Sequence, residues 1–332
     1  MLSADLRAIG GAAPLTPRTI IVTGCDQRQF SLAWGLLRSL TRNGLHRRHA
    51  LGFIDAGLTE TQRRGLPQDG IAIARAGWDF DFPTRSHLER IAPGLCALYG
   101  KLRMRELFPG YDIYVWLDAD TWVQDPGALP VIVEEAARTG LVAAYELDRA
   151  YLTGRIGRVI WSKYRDWYGE AFGPEIAADM YLKPMLNVGV YGIAAWAPHW
   201  SVWEWRYRSG LQAQQLGQEA SIFMTDQLSL NVAVHHHRLP VALLPASFNW
   251  LCHLAPPMWD AEAGHLVAPA PPYEPVRIVH LSGSAKTKPP LLPGRSGGYF
   301  TTSLRYPLQV EPAPADQQPA ETAADEDEEV EA

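Results

Sequence analysis

Cysteine is scarce: Cys25, Cys96 and Cys252 are the only three in 332 residues, odd in number and far apart. They form neither a disulfide framework nor a zinc pattern, which fits a reducing cytoplasm. Long apolar runs are missing too. None approaches the roughly 20 residues needed to cross a bilayer, so no transmembrane segment is expected and only peripheral membrane contact stays open. Met1 to Leu15 carries Asp5 and Arg7 and lacks the apolar core of an export signal, so a cytoplasmic location is expected. There is no internal repeat, no Walker loop and no Gly-x-Gly-x-x-Gly fingerprint. Basic residues are not interleaved with aromatics as in a nucleic-acid module, which argues against a nucleic-acid partner.

What is present is a globular composition, 47% hydrophobic and 20% charged. The net charge of −6 is unevenly placed. Glu311 to Ala332 holds nine acids and no Lys or Arg, so the rest of the chain carries +3. That stretch is rich in Pro, Ala and acid and lacks aromatics, so it cannot bury enough to order itself. The expected organisation is an N-terminal extension at 1–17, a folded body at 18–306 and a disordered acidic tail at 307–332. The tail serves either as a solubilising appendage or as an arm that contacts a protein partner.

Hydrophobic periodicity predicts strands at Thr19–Thr23, Ala50–Asp55, Ile71–Ala74, Tyr111–Leu117, Leu141–Tyr145, Asn187–Ile193, Val241–Leu244 and Arg277–Leu281. It predicts helices from Phe30 to Asn43, Gly94 to Phe108, Gly127 to Thr139, Tyr151 to Phe172, Ala195 to Leu216 and Asp226 to Val234. Strands alternating with helices imply an α/β fold with a mostly parallel central sheet and helices on both faces.

The strongest local signal is Tyr111 to Thr121, an apolar strand that ends abruptly in Asp118-Ala119-Asp120. In open α/β sheets, ligands bind beyond the carboxyl ends of the strands. Two carboxylates this close repel unless positive charge lies between them. Hard oxygen donors select Mg²⁺ or Mn²⁺, which bind through one or two carboxylates plus substrate phosphates. A solvated turn with capping aspartates is the plain alternative. His235-His236-His237 points in different directions within any regular element and reads as an exposed turn. Trp196, Trp200 and Trp203 recur at helical spacing and read as core.

Further motifs follow in order: Asn187-Val188-Gly189-Val190, Asp226-Gln227 with Leu230-Asn231, Pro245 with Phe248-Asn249, and His280-Leu281-Ser282-Gly283-Ser284-Ala285-Lys286. Together with Asp118-Ala119-Asp120 this ordered set resembles glycosyltransferase family 8, the retaining sugar transferases. The resemblance spans about Thr19 to Lys286. It implies a GT-A type, Rossmann-like nucleotide-diphospho-sugar transferase domain, with a nucleotide-binding half at about 18–125 and an acceptor half at about 126–306.

The same resemblance implies roles for individual residues. Asp118, Asp120 and His280 would hold Mn²⁺ or Mg²⁺. Thr23 and Asp26 would meet the nucleoside, and Lys101, Ala119, Gly283 and Lys286 the diphosphate. Asn187 and Gly189 would meet the donor sugar, and Asp226 and Gln227 its reactive face. Lys288 is an alternative to Lys286, and Glu146 or Asp148 would contact the acceptor. The implied activity is transfer of a hexose from UDP-galactose or UDP-glucose to a glycan, lipid-linked or protein acceptor, with retention. Two other readings are carried along: a sugar-phosphate nucleotidyltransferase and a non-catalytic nucleotide-sugar-binding protein. Gly24 to Arg28, with one glycine and one arginine, lacks the basic glycine-rich loop expected of the former.

Overall fold

The computed structural model describes residues 16–67, 70–151, 159–288 and 290–318. Its centre is a seven-stranded sheet in the order β3-β2-β1-β4-β7-β6-β8. These strands are β1 (Thr19–Cys25), β2 (Ala50–Asp55), β3 (Ile71–Arg75), β4 (Ile113–Leu117), β6 (Leu141–Tyr145), β7 (Leu186–Ala194) and β8 (Ala242–Leu244). Neighbours pair in parallel except on either side of β7, which runs against both β4 and β6. Every residue of β1 and β4 is buried, so side chains pointing both ways are covered and both sheet faces are packed.

Between them lie α1 (Phe30–Arg42), α2 (Glu60–Gly65), α3 (Arg85–Ile91), α4 (Cys96–Leu102), α5 (Met104–Leu107), α6 (Ala128–Thr139), α7 (Val159–Phe172), α8 (Pro174–Met180), α9 (His199–Ala213) and α10 (Glu219–Asn231). Leu36, Leu37 and Leu40 of α1 and Leu129, Ile132 and Ala136 of α6 enter the main core with the strands. The sequence predicts one helix over Gly94–Phe108. The chain instead breaks at Arg103 between α4 and α5, where its guanidinium is drawn to Asp79 and Glu106. The helix expected from Ala195 begins at His199, because Pro198 stands at its N-terminal boundary. That expected over Asp226–Val234 starts earlier, as α10, and closes in a π-helical turn over Val232–His236. Residues 152–158 of the expected Tyr151–Phe172 helix lie outside the described residues.

A three-stranded sheet, β5-β12-β9, sits beside the main one. It joins β5 (Thr121–Val123) to β12 (Ile278–His280) antiparallel and β12 to β9 (Trp250–Leu251) in parallel. Two further sheets lie towards the C-terminus. One pairs β10 (Met258–Asp260) with β11 (His265–Val267), and the other orders β13 (Leu292–Pro293), β14 (Tyr299–Thr301) and β15 (Glu311–Pro312). β15 falls inside the stretch whose composition predicts a tail. The described chain continues to Gln318, while 319–332, with most of the acids, lies outside it, as does 1–15 of the expected extension.

The strand order creates a switch point. From β1 the chain winds outward through β2 to β3, then returns to place β4 on the other flank of β1. A crevice therefore opens beyond the carboxyl ends of β1 and β4, where the following loops diverge. Asp26 follows β1 and Asp118 follows β4.

Candidate functional site

A cavity of about 720 Å³ occupies that crevice. Its lining includes Asp26, Lys101, Asp118, Ala119, Asp120, Asn187, Gly189, Asp226, Gln227, His280, Gly283 and Lys286. Thr23 is not part of the lining: its side chain is buried in β1 and its hydroxyl has no hydrogen-bond partner. Those lining residues come together from six segments of chain.

Backbone pairing sets the acidic end. His280 lies opposite Thr121 in the small sheet, and Leu281 N–H donates to Asp120 O at 2.9 Å. Asp120 and His280 are thereby fixed side by side, with His280 Nε2 3.4 Å from Asp120 Oδ1. One ligand atom from each of Asp118, Asp120 and His280 falls within 4.8 Å of the others. Beneath them, a Cβ on Gly189 would come within 2.3 Å of His280 Cε1, so only glycine leaves room for the imidazole.

Two lysines balance the acids. Lys101 Nζ is buried 3.0 Å from both Asp118 Oδ1 and Asp226 Oδ2. Burial alone would lower its pKa, but the two carboxylates outweigh burial and raise it, so the cation persists. Lys286 Nζ lies 2.7 Å from Asp120 Oδ2. Burial would raise the Asp120 pKa, whereas His280 and Lys286 together hold it well below the usual carboxylate range. Of the two lysines left open by the sequence, Lys286 lines the cavity and Lys288 does not. Arg105, four residues after Lys101, does not line the cavity: its guanidinium donates to Ala195 O and lies over the Trp200 ring.

A chain of amides fixes a hydrogen on His280 Nδ1. Gly189 N–H can only donate, and it donates to Asn187 Oδ1 at 2.8 Å. Asn249 faces that same oxygen at 2.9 Å and so presents its NH₂ group to it. Its own Oδ1 therefore faces His280 Nδ1 at 2.8 Å as an acceptor. Nδ1 must carry a hydrogen, which leaves Nε2 as the nitrogen turned towards Asp120, where it donates as the imidazolium or offers a lone pair as the neutral ring. With the ring neutral, its Nε2 lone pair and the carboxylate oxygens converge on one buried point, where a cation would be held. Two carboxylates and one neutral imidazole are a fitting donor set for a divalent cation such as Mn²⁺.

The far end of the cavity is differently made. Gln227 Nε2 donates to Glu146 and lies 3.0 Å from Met185 Sδ, while its Oε1 accepts from Val188 N–H at 3.3 Å. Glu146 also bonds Asn187 and the Tyr164 hydroxyl. No lysine or arginine pairs with it among the described residues. Burial raises its pKa beyond what these hydrogen bonds offset. Between the two acids of that segment, Glu146 lines the cavity, while Asp148 caps a turn through Ala150 N–H at 2.8 Å.

Asp26 is tied into its own loop. Its Oδ1 accepts from Arg28 N–H at 2.9 Å and its Oδ2 pairs with the Arg28 guanidinium. A Cβ on Gly94 would strike it at under 3 Å, so the β1 loop and the segment before α4 close on one another there. Gly283 adopts a left-handed φ of +56° with His253 packed against it, and His253 Nδ1 meets Ser282 Oγ at 2.6 Å. His235, His236 and His237 lie away from the cavity, held by Pro184, Asp179 and Arg206. Trp200 and Trp203 are buried in the core, whereas Trp196 and Trp205 are exposed. Asn249 and Glu146 both stand in irregular backbone, where a polar residue carries no periodic signal in the sequence.

No family profile and no curated protein matches the chain. Solved structures do. The galactosyltransferase LgtC, in complex with donor and acceptor sugar analogues, is 16% identical over 80% of this chain and 88% of its own, with a TM-score of 0.46. The bifunctional glycosyltransferase WbbM is 11% identical over 82% of this chain and 47% of its own, at 0.44. Mouse xyloside xylosyltransferase 1 is 13% identical over 82% and 99%, at 0.43.

Proposed function

We propose that this protein is a cation-dependent glycosyltransferase that moves a hexose from a nucleotide-diphosphate sugar to a hydroxyl acceptor. One observation carries the reading: Asp118, Asp120, His280, Lys101 and Lys286 all line a single cavity at the switch point of an α/β sheet. That combination of hard donors and ammonium groups suits a diphosphate bound through a divalent ion. Mn²⁺ or Mg²⁺ would be held by Asp118, Asp120 and His280 and would supply Lewis-acid charge to the departing diphosphate. Lys286 adds a point charge from the Gly283 turn. Lys101 neutralises Asp118 and Asp226, which lets the two acids share a buried site. Asn187 and Asp226 orient the sugar, and Gln227 supports developing positive charge at its reactive carbon.

UDP-galactose or UDP-glucose is the proposed donor, on the sequence resemblance. Retention is proposed on the same ground, with the leaving phosphate oxygen taking the acceptor proton. Glu146 favours one second reading. A cavity-lining carboxylate with a raised pKa has the makings of a general base, and that role would belong to an inverting enzyme.

The test incubates the full chain and Mn²⁺ with a panel of nucleotide sugars, measures released nucleoside diphosphate, and reads the anomeric configuration of the product by NMR. Release is expected with UDP-hexoses and is expected to vanish in Asp120→Ala and His280→Ala. No turnover of any donor would sink the transferase reading. Pyrophosphate formed from a nucleoside triphosphate and a sugar phosphate would identify a nucleotidyltransferase, and tight binding without turnover a sensor. An inverted product would make Glu146 the base.

A further inference from the structure

One stretch of the folded body is conspicuously one-sided in charge. From Gln27 to Ile54 the chain holds Arg28, Arg38, Arg42, Arg47 and Arg48, with His46 and His49, and not one Asp or Glu. Arg28 is paired with Asp26 at the cavity. Arg38, Arg42, Arg47 and Arg48 are all exposed, and no ion pair or side-chain hydrogen bond engages them among the described residues. Arg38 and Arg42 stand four apart on α1, a like-charge spacing that costs an isolated helix some stability. Arg47 and Arg48 follow in the 3₁₀ turn that packs against the end of that helix. Burial and the Arg48 charge together hold His49 below its ordinary pKa.

The stripe has an aromatic end. Phe30, Trp34, Arg38 and Arg42 step by four along one face of α1. Phe30 and Trp34 stack with centroids 6.2 Å apart, and Trp34 remains 36% exposed. Alongside runs the segment of Arg305, also exposed. Its neighbour Tyr306 packs on Gly35, whose Cβ would lie 3.3 Å from Tyr306 O. The α1 face is therefore aromatic at one end and basic beyond it, and Arg47 and Arg48 continue the basic charge past the helix. None of Arg38, Arg42, Arg47 and Arg48, nor Trp34, lines the small cleft of about 10 Å³ beside α1. A plane of phosphates suits this face. Guanidinium groups match phosphate geometry, and Trp is at home at the level of lipid headgroups.

We propose that this face docks the protein on an anionic lipid surface, with Arg38, Arg42, Arg47 and Arg48 meeting headgroup phosphates and Trp34 entering the interface. The proposal does not depend on the catalytic reading, because none of these residues lines the cavity.

Sedimentation of the full chain with vesicles tests it, using phosphatidylcholine alone and phosphatidylcholine with one third phosphatidylglycerol. Binding is expected only to the anionic vesicles and is expected to fall steeply as salt rises from about 0.1 to about 1 M. Each arginine near such a surface is worth about fivefold, so Arg38→Gln, Arg42→Gln, Arg47→Gln and Arg48→Gln combined should weaken partitioning at least about a hundredfold. The milder pair Arg47→Gln with Arg48→Gln should cost about 25-fold and covers the case in which the quadruple variant misfolds, which thermal melting would reveal. The emission lost in Trp34→Phe should shift to the blue on binding. Equal binding to both vesicles, no binding to either, or indifference to the arginine replacements would overturn the proposal. So would tighter binding to single-stranded RNA or duplex DNA than to vesicles at equal phosphate concentration.

Discussion

The two ends of the cavity solve the problem of buried polarity in opposite ways. At one end, every acid has a cation: Asp118 and Asp226 share Lys101, and Asp120 has Lys286. At the other, Glu146 is held by an amide, a second amide and a phenol, with no cation among the described residues. Asp120 is accordingly held below its ordinary pKa and Glu146 is pushed above it. A site built this way keeps fixed charge where charged phosphates would sit and dipoles where a neutral sugar would sit. The opposite pKa directions give Asp120 and Glu146 opposite responses to pH, while burial outweighs Lys101 at Asp226 and raises that carboxyl as well.

The sharpest way to break the comparison is to remove the buried cation. Lys101→Met leaves Asp118 and Asp226 facing each other unpaired and should cost about 3–5 kcal/mol of stability at neutral pH, measured by urea denaturation. A loss under 1 kcal/mol would mean that water already screens these acids. Next in size is Asn249→Ala. It removes the acceptor that fixes the His280 tautomer and should weaken Mn²⁺ binding about 10- to 100-fold by calorimetry, with little change in melting temperature.

Glu146→Gln sharpens the contrast through pH. A carboxyl whose folded pKa is raised gives stability that is fully present below its unfolded value, about 4.3, and is lost as pH rises through the folded value. The variant should therefore gain stability over the wild type at neutral pH, and the gap should close below about pH 4. Asp120→Asn should do the reverse, because a depressed carboxylate contributes above its unfolded value, about 3.9, and loses that contribution on acidification. Denaturant titrations at several pH values check both signs. The smallest effect belongs to Thr23→Val. It replaces an unbonded buried hydroxyl with a methyl outside the cavity, so stability should hold or rise by up to about 1 kcal/mol and donor affinity should not move.

Much of this was legible beforehand, for identifiable reasons. The apolar runs of β1, β2 and β4 mark the sheet because a strand covered on both faces has no polar positions to blur it. Asp118 and Asp120 stand out because charge follows such a run directly. Lys101 is marked by the family resemblance alone, and its partner Asp226 lies 125 residues away with no local pattern to join them. The break at Arg103 was invisible because the leucine periodicity of Gly94–Phe108 continues across it. The boundary near Pro198 is set locally by that proline, whereas α10 reaches back from Asp226 to Glu219, ahead of the spacing that marks it in the sequence. Asn249 could not be ranked from sequence, as its importance arises only once β9, β7 and β12 bring it between Asn187 and His280.

The pairing of β5 with β12 has one more consequence. In coordination terms, the bite between Asp120 and His280 is set by backbone, through the Leu281 N–H to Asp120 O bond and the His280–Thr121 register. Ligand identity and ligand spacing are therefore separable variables here. Exchanging Asp120 for Glu or His280 for Asp changes the reach or hardness of the chelate, while the anchor points stay where the strands hold them. A cation bound there as proposed would meet the same backbone anchor points after either exchange.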